Sequence, residues 1–231
     1  MAIAARIAGT LVTGLLLAMP HPAESAEGAY AVDKAQVDEP GSCKVEAWTS
    51  FSSRNDFAGA VAPACAVSIG RPVEFGAQFD RVKIDGEWAS GLLLKTKTSI
   101  VPLTESDARF GIAISGASVV GLESGKVAAW ILNVPFSFRA TDAFQINAQF
   151  GGLWNRVENR THFTWGLGFE WSMSEPFMLI GEVFSIAART AGAQIGLRYT
   201  PHEKIDFDFI YGRNLAGEQA DWITLGVNLR F

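Results

Sequence analysis

Some charged side chains in the C-terminal half of the chain stand two residues apart, and this spacing limits the chemistry they can perform. Asp206 and Asp208 would lie on one face of an extended strand, about 7 Å apart. Such a pair suits cation binding or carboxylate-pair catalysis. Arg198 and Arg230 lie in neighbouring segments of the same kind, and they favour salt bridges. We therefore predict structural ion pairs at these positions.

The histidines beyond residue 25, His162 and His202, are the remaining candidates for acid–base catalysis. Neither has an adjacent Ser in a recognisable enzyme motif. The alternation of residue types places His162 on a polar strand face and His202 in a turn. Cys43 and Cys65 have no Cys or His nearby at metal-ligand spacing. We predict no catalytic site, no metal site and no cofactor.

The elements that position these residues are strands with two unlike faces, and the last ten residues show this most clearly. A period of two is typical of a strand. One file of this segment is apolar and the other is small or polar. The apolar file is Ile223, Leu225, Val227, Leu229 and Phe231, and the other is Thr224, Gly226, Asn228 and Arg230.

The same alternation recurs upstream between short turns. Residues 144–150 and 163–171 alternate over their full length, whereas Ala60 to Ile69 lacks clear alternation. Counting back from Phe231 predicts about twelve antiparallel strands, or ten if the N-terminal part is irregular. Short turns at 140–142, 173–175 and 200–204 fall on the side of the C-terminus, which indicates a periplasmic side there if the chain spans an outer membrane.

At this point the sequence resembles the Gram-negative outer-membrane β-barrel proteins, including small porin-like channels and transporters. The last strand of such proteins typically ends in Phe and is read by the barrel-assembly machinery; here the matching residues are Leu225, Val227, Leu229 and Phe231. The resemblance implies an all-β, transmembrane, antiparallel up-and-down barrel in the cell outer membrane. Its partners would be membrane lipid, lipopolysaccharide and that machinery.

Composition and the N-terminus agree with export. Hydrophobic residues make up 48% of the 231-residue chain and charged residues 19%, yet beyond the N-terminus no apolar run approaches the ~18 residues of a membrane-spanning helix. Residues 1–25 have the basic start, apolar centre and small terminal residues of a cleaved signal peptide. We predict a periplasmic arm over 26–42 and the barrel over 43–231. The net charge of −5 and the absence of a basic run exclude nucleic-acid binding.

The two cysteines, Cys43 and Cys65, both lie in the exported part, where disulfides form. A bridge between them would close a short loop near the first hairpin. The alternative is two free thiols that are buried or face lipid.

The inward face holds equal numbers of cations and anions. They would either pair across a narrow lumen, since unpaired charges out of water are costly, or line a water-filled pore of weak ion selectivity. We expect a channel for small hydrophilic solutes; the alternatives are a closed barrel with a structural or binding role and, third, a lipid-modifying enzyme. The inward residues are Lys95, Lys97, Arg139, Arg198 and Arg230 with Glu74, Glu170, Glu182, Asp206 and Asp208.

Overall fold

Twelve antiparallel strands close into one barrel in the computed structural model, which describes residues 29–103, 109–187, 190–216 and 220–231. Each strand pairs with its neighbours in sequence, and the first pairs with the last. The predicted all-β up-and-down barrel of twelve strands is confirmed, including a strand across the weakly alternating segment at 60–69. The strands are β1 (Cys43–Ser52), β2 (Phe57–Ser68), β3 (Pro72–Ile84), β4 (Glu87–Val101), β5 (Phe110–Gly121), β6 (Lys126–Thr141), β7 (Phe144–Asn155), β8 (Arg160–Ser174), β9 (Phe177–Ala187), β10 (Thr190–His202), β11 (Ile205–Asn214) and β12 (Asp221–Arg230).

The two ends of the barrel are distinguished by the chain termini. We call the end where β1 begins and β12 ends the terminal end, and the other the distal end. At the terminal end β6–β7, β8–β9 and β10–β11 are joined by only the residues 142–143, 175–176 and 203–204. The connection between β4 and β5 also lies at this end, and residues 104–108 of it are outside the described residues.

The outer face of the barrel is apolar. Phe163, Phe207 and Phe209 are 62%, 48% and 54% exposed and point away from the lumen, which in water would be costly over so large a surface. Aromatic residues cluster at the terminal end, where Phe177 stacks on Tyr199 with ring centroids 5.1 Å apart. This surface is suited to contact with lipid and its interfaces.

Within the described residues, no helix is long and apolar enough to cross a membrane.

Cys43 and Cys65 face each other across β1 and β2 and form a disulfide. The bridge closes a loop with a sequence separation of 22 residues, for which loop closure in the unfolded chain accounts for about 3 kcal/mol.

We expect the double substitution Cys43→Ser/Cys65→Ser to lower the free energy of unfolding by about 2–4 kcal/mol while leaving the barrel folded. Urea titration in detergent, followed by tryptophan fluorescence, measures this change. Equal unfolding midpoints for the oxidised protein and the double variant would contradict it.

The N-terminal arm is where the structure departs most from the prediction. Residues 29–35 lie inside the barrel, and Ala29, Ala31, Asp33 and Ala35 are each at most 1% exposed. The sequence offered no periodicity here and predicted a periplasmic arm. The segment needs no periodicity because the barrel wall surrounds it on every side and its backbone bonds to wall side chains, not to a strand.

Candidate functional site: the lumen and the segment inside it

Residues 29–38, which we call the lumen segment, run from the terminal end into the barrel and are held mainly through their backbone. The amides of Ala31 and Val32 donate to the two carboxylate oxygens of Glu182 at 2.8 and 3.1 Å. Gln149 accepts from the amide of Asp33 at 2.8 Å and donates to the carbonyl of Ala31 at 3.0 Å. These bonds satisfy buried backbone groups that a strand ladder would otherwise pair.

Further along the segment the same pattern continues. The amide of Ala35 donates to the hydroxyl of Ser137 at 2.9 Å, and Gln194 donates to the carbonyl of Ala29 at 3.3 Å. The side chain of Gln36 donates to Gln145 at 2.7 Å. Polar side chains from β6, β7, β9 and β10 therefore form one continuous cradle for an extended chain.

The strongest charged contact of the lumen segment is made by Asp33. Its carboxylate is fully buried and accepts from Lys95 at 2.9 Å and from Lys97 at 2.8 Å. Charge-assisted bonds of this length are about twice as strong as neutral ones. Two buried ammonium groups on β4 thus share one carboxylate, which comes from the lumen segment and not from the barrel wall.

The charge state of Asp33 follows from these contacts. Burial alone would raise the pKa of its carboxyl. The opposing effect of Lys95 and Lys97 is larger, and the pKa falls to about 2. A carboxyl whose pKa falls on folding stabilises the folded form at pH values above its unfolded pKa of about 4, and this contribution is lost as the pH falls through about 2. The Asp33 carboxylate is therefore ionised at neutral pH.

A second charged network lies beside Tyr30. Arg198 donates to both carboxylate oxygens of Asp208 at 2.8 and 3.0 Å, and its guanidinium lies 5.3 Å from the centre of the Tyr30 ring. The Tyr30 hydroxyl donates to Asp208 at 3.3 Å. Asp206 contacts Arg198 at 3.8 Å and pairs with Arg230. The ion pairs predicted for these residues are therefore present, with Tyr30 as an added member.

Two inward glycines make room for the lumen segment. A Cβ at Gly166 would lie 2.8 Å from the Val32 side chain, and one at Gly196 would lie 2.6 Å from the Tyr30 hydroxyl. A larger residue at either position would collide with the segment.

The distal half of the lumen contains a cluster of buried apolar side chains, beside buried polar ones such as Asn155, Thr164 and Thr224. Trp48, Val82, Ile84 and Ile210 are buried there with several alanines and pack near Ala29 and Tyr30. Phe184 and Trp222 pack on Ala31 and Val32. The lumen therefore has two layers, a polar layer threaded by residues 29–38 and an apolar layer beyond it.

The predicted inward residues fall on the lumen face, but they have different neighbours. Lys95, Lys97, Glu182, Arg198 and Asp208 contact the lumen segment directly. Asp206 and Arg230 pair with each other beside it.

The other predicted inward residues have partners elsewhere on the wall or at the end of the segment. Glu170 accepts from Asn147 at 2.8 Å and lies 4.0 Å from Lys34. Glu74 pairs with Lys44 at 3.2 Å. Arg139 lies near the terminal end of β6.

Sequence reasoning missed the residues that bind the backbone, namely Ser137, Gln149 and Gln194. Gln145 and Gln149 alternate with Phe144 and Phe150, so their inward direction was visible. Their role in binding the backbone of residues 29–35 could not be predicted, because a polar side chain in a lumen can bind water equally well.

The histidines lie away from this network. His162 contacts the Glu158 carboxylate at 2.8 Å at the distal end, and His202 accepts from the amide of Lys204 at 3.3 Å in a terminal-end turn. In the described part of the chain, no three His, Cys, Asp or Glu side chains are grouped to hold a metal ion.

Solved structures with the same fold are outer-membrane channels. The KdgM porin in complex with disordered oligogalacturonate has a TM-score of 0.64 at 9% identity, covering 81% of this chain and 99% of that one. The COG4313 outer membrane channel from Pseudomonas putida F1 has a TM-score of 0.65 at 12% identity, covering 85% and 98%. The NanC porin has 0.60 at 9%, covering 80% and 98%.

At such low identity these likenesses establish the fold of an outer-membrane β-barrel protein. No curated protein matches the sequence. A family model described as "Uncharacterised conserved protein UCP029691" matches residues 14–231. Because that match spans nearly the whole sequence, the chain belongs to this family.

Proposed function

We propose that the protein is an outer-membrane channel for small hydrophilic solutes whose resting form is closed by its own lumen segment. One observation carries the proposal: the polar layer of the lumen is filled by residues 29–38, which are not part of the wall. Within the described residues, the covalent connection from this segment to the barrel runs through 39–42 to the start of β1. Withdrawal of this segment would leave a passage lined by charged and amide side chains.

The chemistry of the wall supports passage of polar solutes. Lys95, Lys97, Glu182, Arg198 and Asp208 carry both signs of charge on the lumen face, which implies weak ion selectivity. The KdgM porin, which shares the fold, was solved with oligogalacturonate, and a solute of similar polarity fits the wall described here.

The cellular setting is part of the same proposal. A signal peptide over residues 1–25 would direct export, and the terminal end would face the periplasm, with lipid and lipopolysaccharide around the barrel. The barrel-assembly machinery would read Leu225, Val227, Leu229 and Phe231.

The apolar distal layer favours a second candidate, a permanently closed barrel with a structural or partner-binding role. Trp48, Phe184 and Trp222 are at most 6% exposed, and such a layer opposes water even after the lumen segment withdraws. The two candidates differ in whether any form of the folded protein conducts ions. No observation favours a lipid-modifying enzyme.

Locking the lumen segment to the wall tests the proposal on the full chain. A Cβ at Gly226 would lie 3.8 Å from that of Ala29, within the range of ~3.5–4.5 Å for disulfides. The lock is placed in an Asp33→Asn protein, in which the segment has lost its ion pairs with Lys95 and Lys97. We expect Ala29→Cys/Gly226→Cys in this protein to be silent in a planar bilayer when oxidised and to show current steps after reduction.

The controls are each single cysteine variant and the wild-type protein under the same reductant, which also opens Cys43–Cys65. Heat-dependent gel mobility checks that every sample is folded. Folded protein that stays silent in all states, including after reduction, would overturn the channel and leave the closed barrel.

A further inference from the structure

The lumen binds its own N-terminal segment by features that any extended peptide possesses. Glu182, Gln149, Ser137 and Gln194 all bond to backbone amides or carbonyls of residues 29–35. Backbone groups are the same in every non-proline residue. The cradle therefore recognises the extended main chain more than a particular sequence.

Side-chain selection in this cradle acts at the buried positions of residues 29–35, which include Tyr30 and Val32 at 3% and 5% exposure. Ala29, Ala31 and Ala35 are each at most 1% exposed, so small residues are required there. Asp33 is the one carboxylate of the segment that is fully buried, and two lysines bind it. The cradle thus accepts small side chains at positions 29, 31 and 35 and a carboxylate at position 33.

Charge in the wall explains why the occupant must be acidic. Lys95 and Lys97 have side-chain exposures of 10% and 2%, and two buried cations without an anion are costly. When the lumen segment withdraws, these lysines would regain a partner most readily from an incoming carboxylate.

We propose that the lumen is a binding site for extended acidic peptides, with residues 29–38 as its built-in occupant. The proposal rests on the proposed function insofar as the segment must be displaceable. It adds a ligand class: a short peptide with small residues at alternate positions and a carboxylate where Asp33 lies. Entry would be from the terminal end, because that is where the segment itself enters.

The test uses the full chain with Asp33→Asn, which weakens the resident segment, and four synthetic decapeptides. The native peptide has the sequence of residues 29–38, the amide peptide carries Asn in place of Asp33, and the scrambled peptide has the native composition in another order. The side-chain peptide changes the partly exposed Lys34 and Val37 to Ser but keeps the alanines, Tyr30, Val32 and Asp33. Binding is measured by fluorescence anisotropy with dye-labelled peptide, and channel block is recorded separately in a planar bilayer.

We expect the native peptide to bind at least ~10-fold more tightly than the amide peptide, which lacks one partner of a buried charge pair, and than the scrambled peptide, whose carboxylates no longer lie opposite the two lysines. The side-chain peptide should bind within ~10-fold of the native one. Equal binding of native and scrambled peptides, or loss of binding by the side-chain peptide, would overturn the inference.

The two proposals fail separately. If the Asp33→Asn protein conducts but no peptide binds selectively, the channel stands and the peptide site falls. If the peptides bind selectively while no current is seen in any state, the peptide site stands and the channel falls.

Discussion

Replacing Asp33 with Asn should release the lumen segment and give current steps where the wild-type protein is mostly silent. The substitution keeps the shape of the side chain but removes the anion that neutralises Lys95 and Lys97, which bind it at 2.9 and 2.8 Å. Removing one partner of a buried ion pair costs about 3–5 kcal/mol. At ~1.4 kcal/mol per tenfold change, the withdrawn form should become roughly a hundred- to a few-thousand-fold more populated.

Glu39→Gln provides the matched control for this prediction. It removes the same charge further along the chain, where the residue is exposed outside the lumen, and it should leave the current unchanged. A third variant, Asp33→Asn with Lys95→Met and Lys97→Met, removes the uncompensated cations and should restore closure. Equal open probability in the Asp33→Asn and Glu39→Gln proteins would contradict the role assigned to this ion pair.

Replacing Arg198 with Ala should lower the stability of the whole barrel. Arg198 holds Asp208 through two bonds and lies near Asp206, and both carboxylates are less than a tenth exposed. Without the guanidinium, two like charges remain buried side by side. The expected loss is about 3–5 kcal/mol in the free energy of unfolding, measured by urea titration in detergent.

The chain contains a matched pair for comparison. Arg213 also makes two bonds to an aspartate on the adjacent strand, Asp221, at 2.6 and 3.2 Å, but both side chains are largely exposed. Surface pairs contribute little, so Arg213→Ala should leave the unfolding curve nearly unchanged. If the two variants were equally stable, the buried network around Arg198 would not hold the barrel together.

The barrel wall could be predicted from the sequence because each strand carries its own evidence. The apolar file of β12, from Ile223 to Phe231, and the alternation in β7 and β8 require no knowledge of distant residues. The weak alternation at 60–69 has a structural cause: alanines at 58, 60 and 66 are buried, so inward and outward residues of β2 differ little in polarity.

The contents of the lumen could not be predicted, because they depend on contacts between distant parts of the chain. The inward direction of Lys95 and Lys97 follows from parity, but their partner Asp33 is 62 and 64 residues away. The bond from Ala31 to Glu182 joins residues separated by 151. Trp222 stands in the polar file of β12 by position, yet it packs in an apolar layer that only the closed barrel assembles.

The most direct test of this account asks whether residue 31 is inside the folded barrel. In an Ala31→Cys protein with Cys43–Cys65 intact, the rate of labelling by a membrane-impermeant maleimide reports access to that position. Ala31 is fully buried in the lumen, so labelling should be slower than after unfolding by a factor on the order of 100, the scale of a ~2.7 kcal/mol opening, and Asp33→Asn should speed it up. Labelling of the folded protein at the rate of a free thiol would show that the segment lies outside, and the closed lumen described here would be wrong.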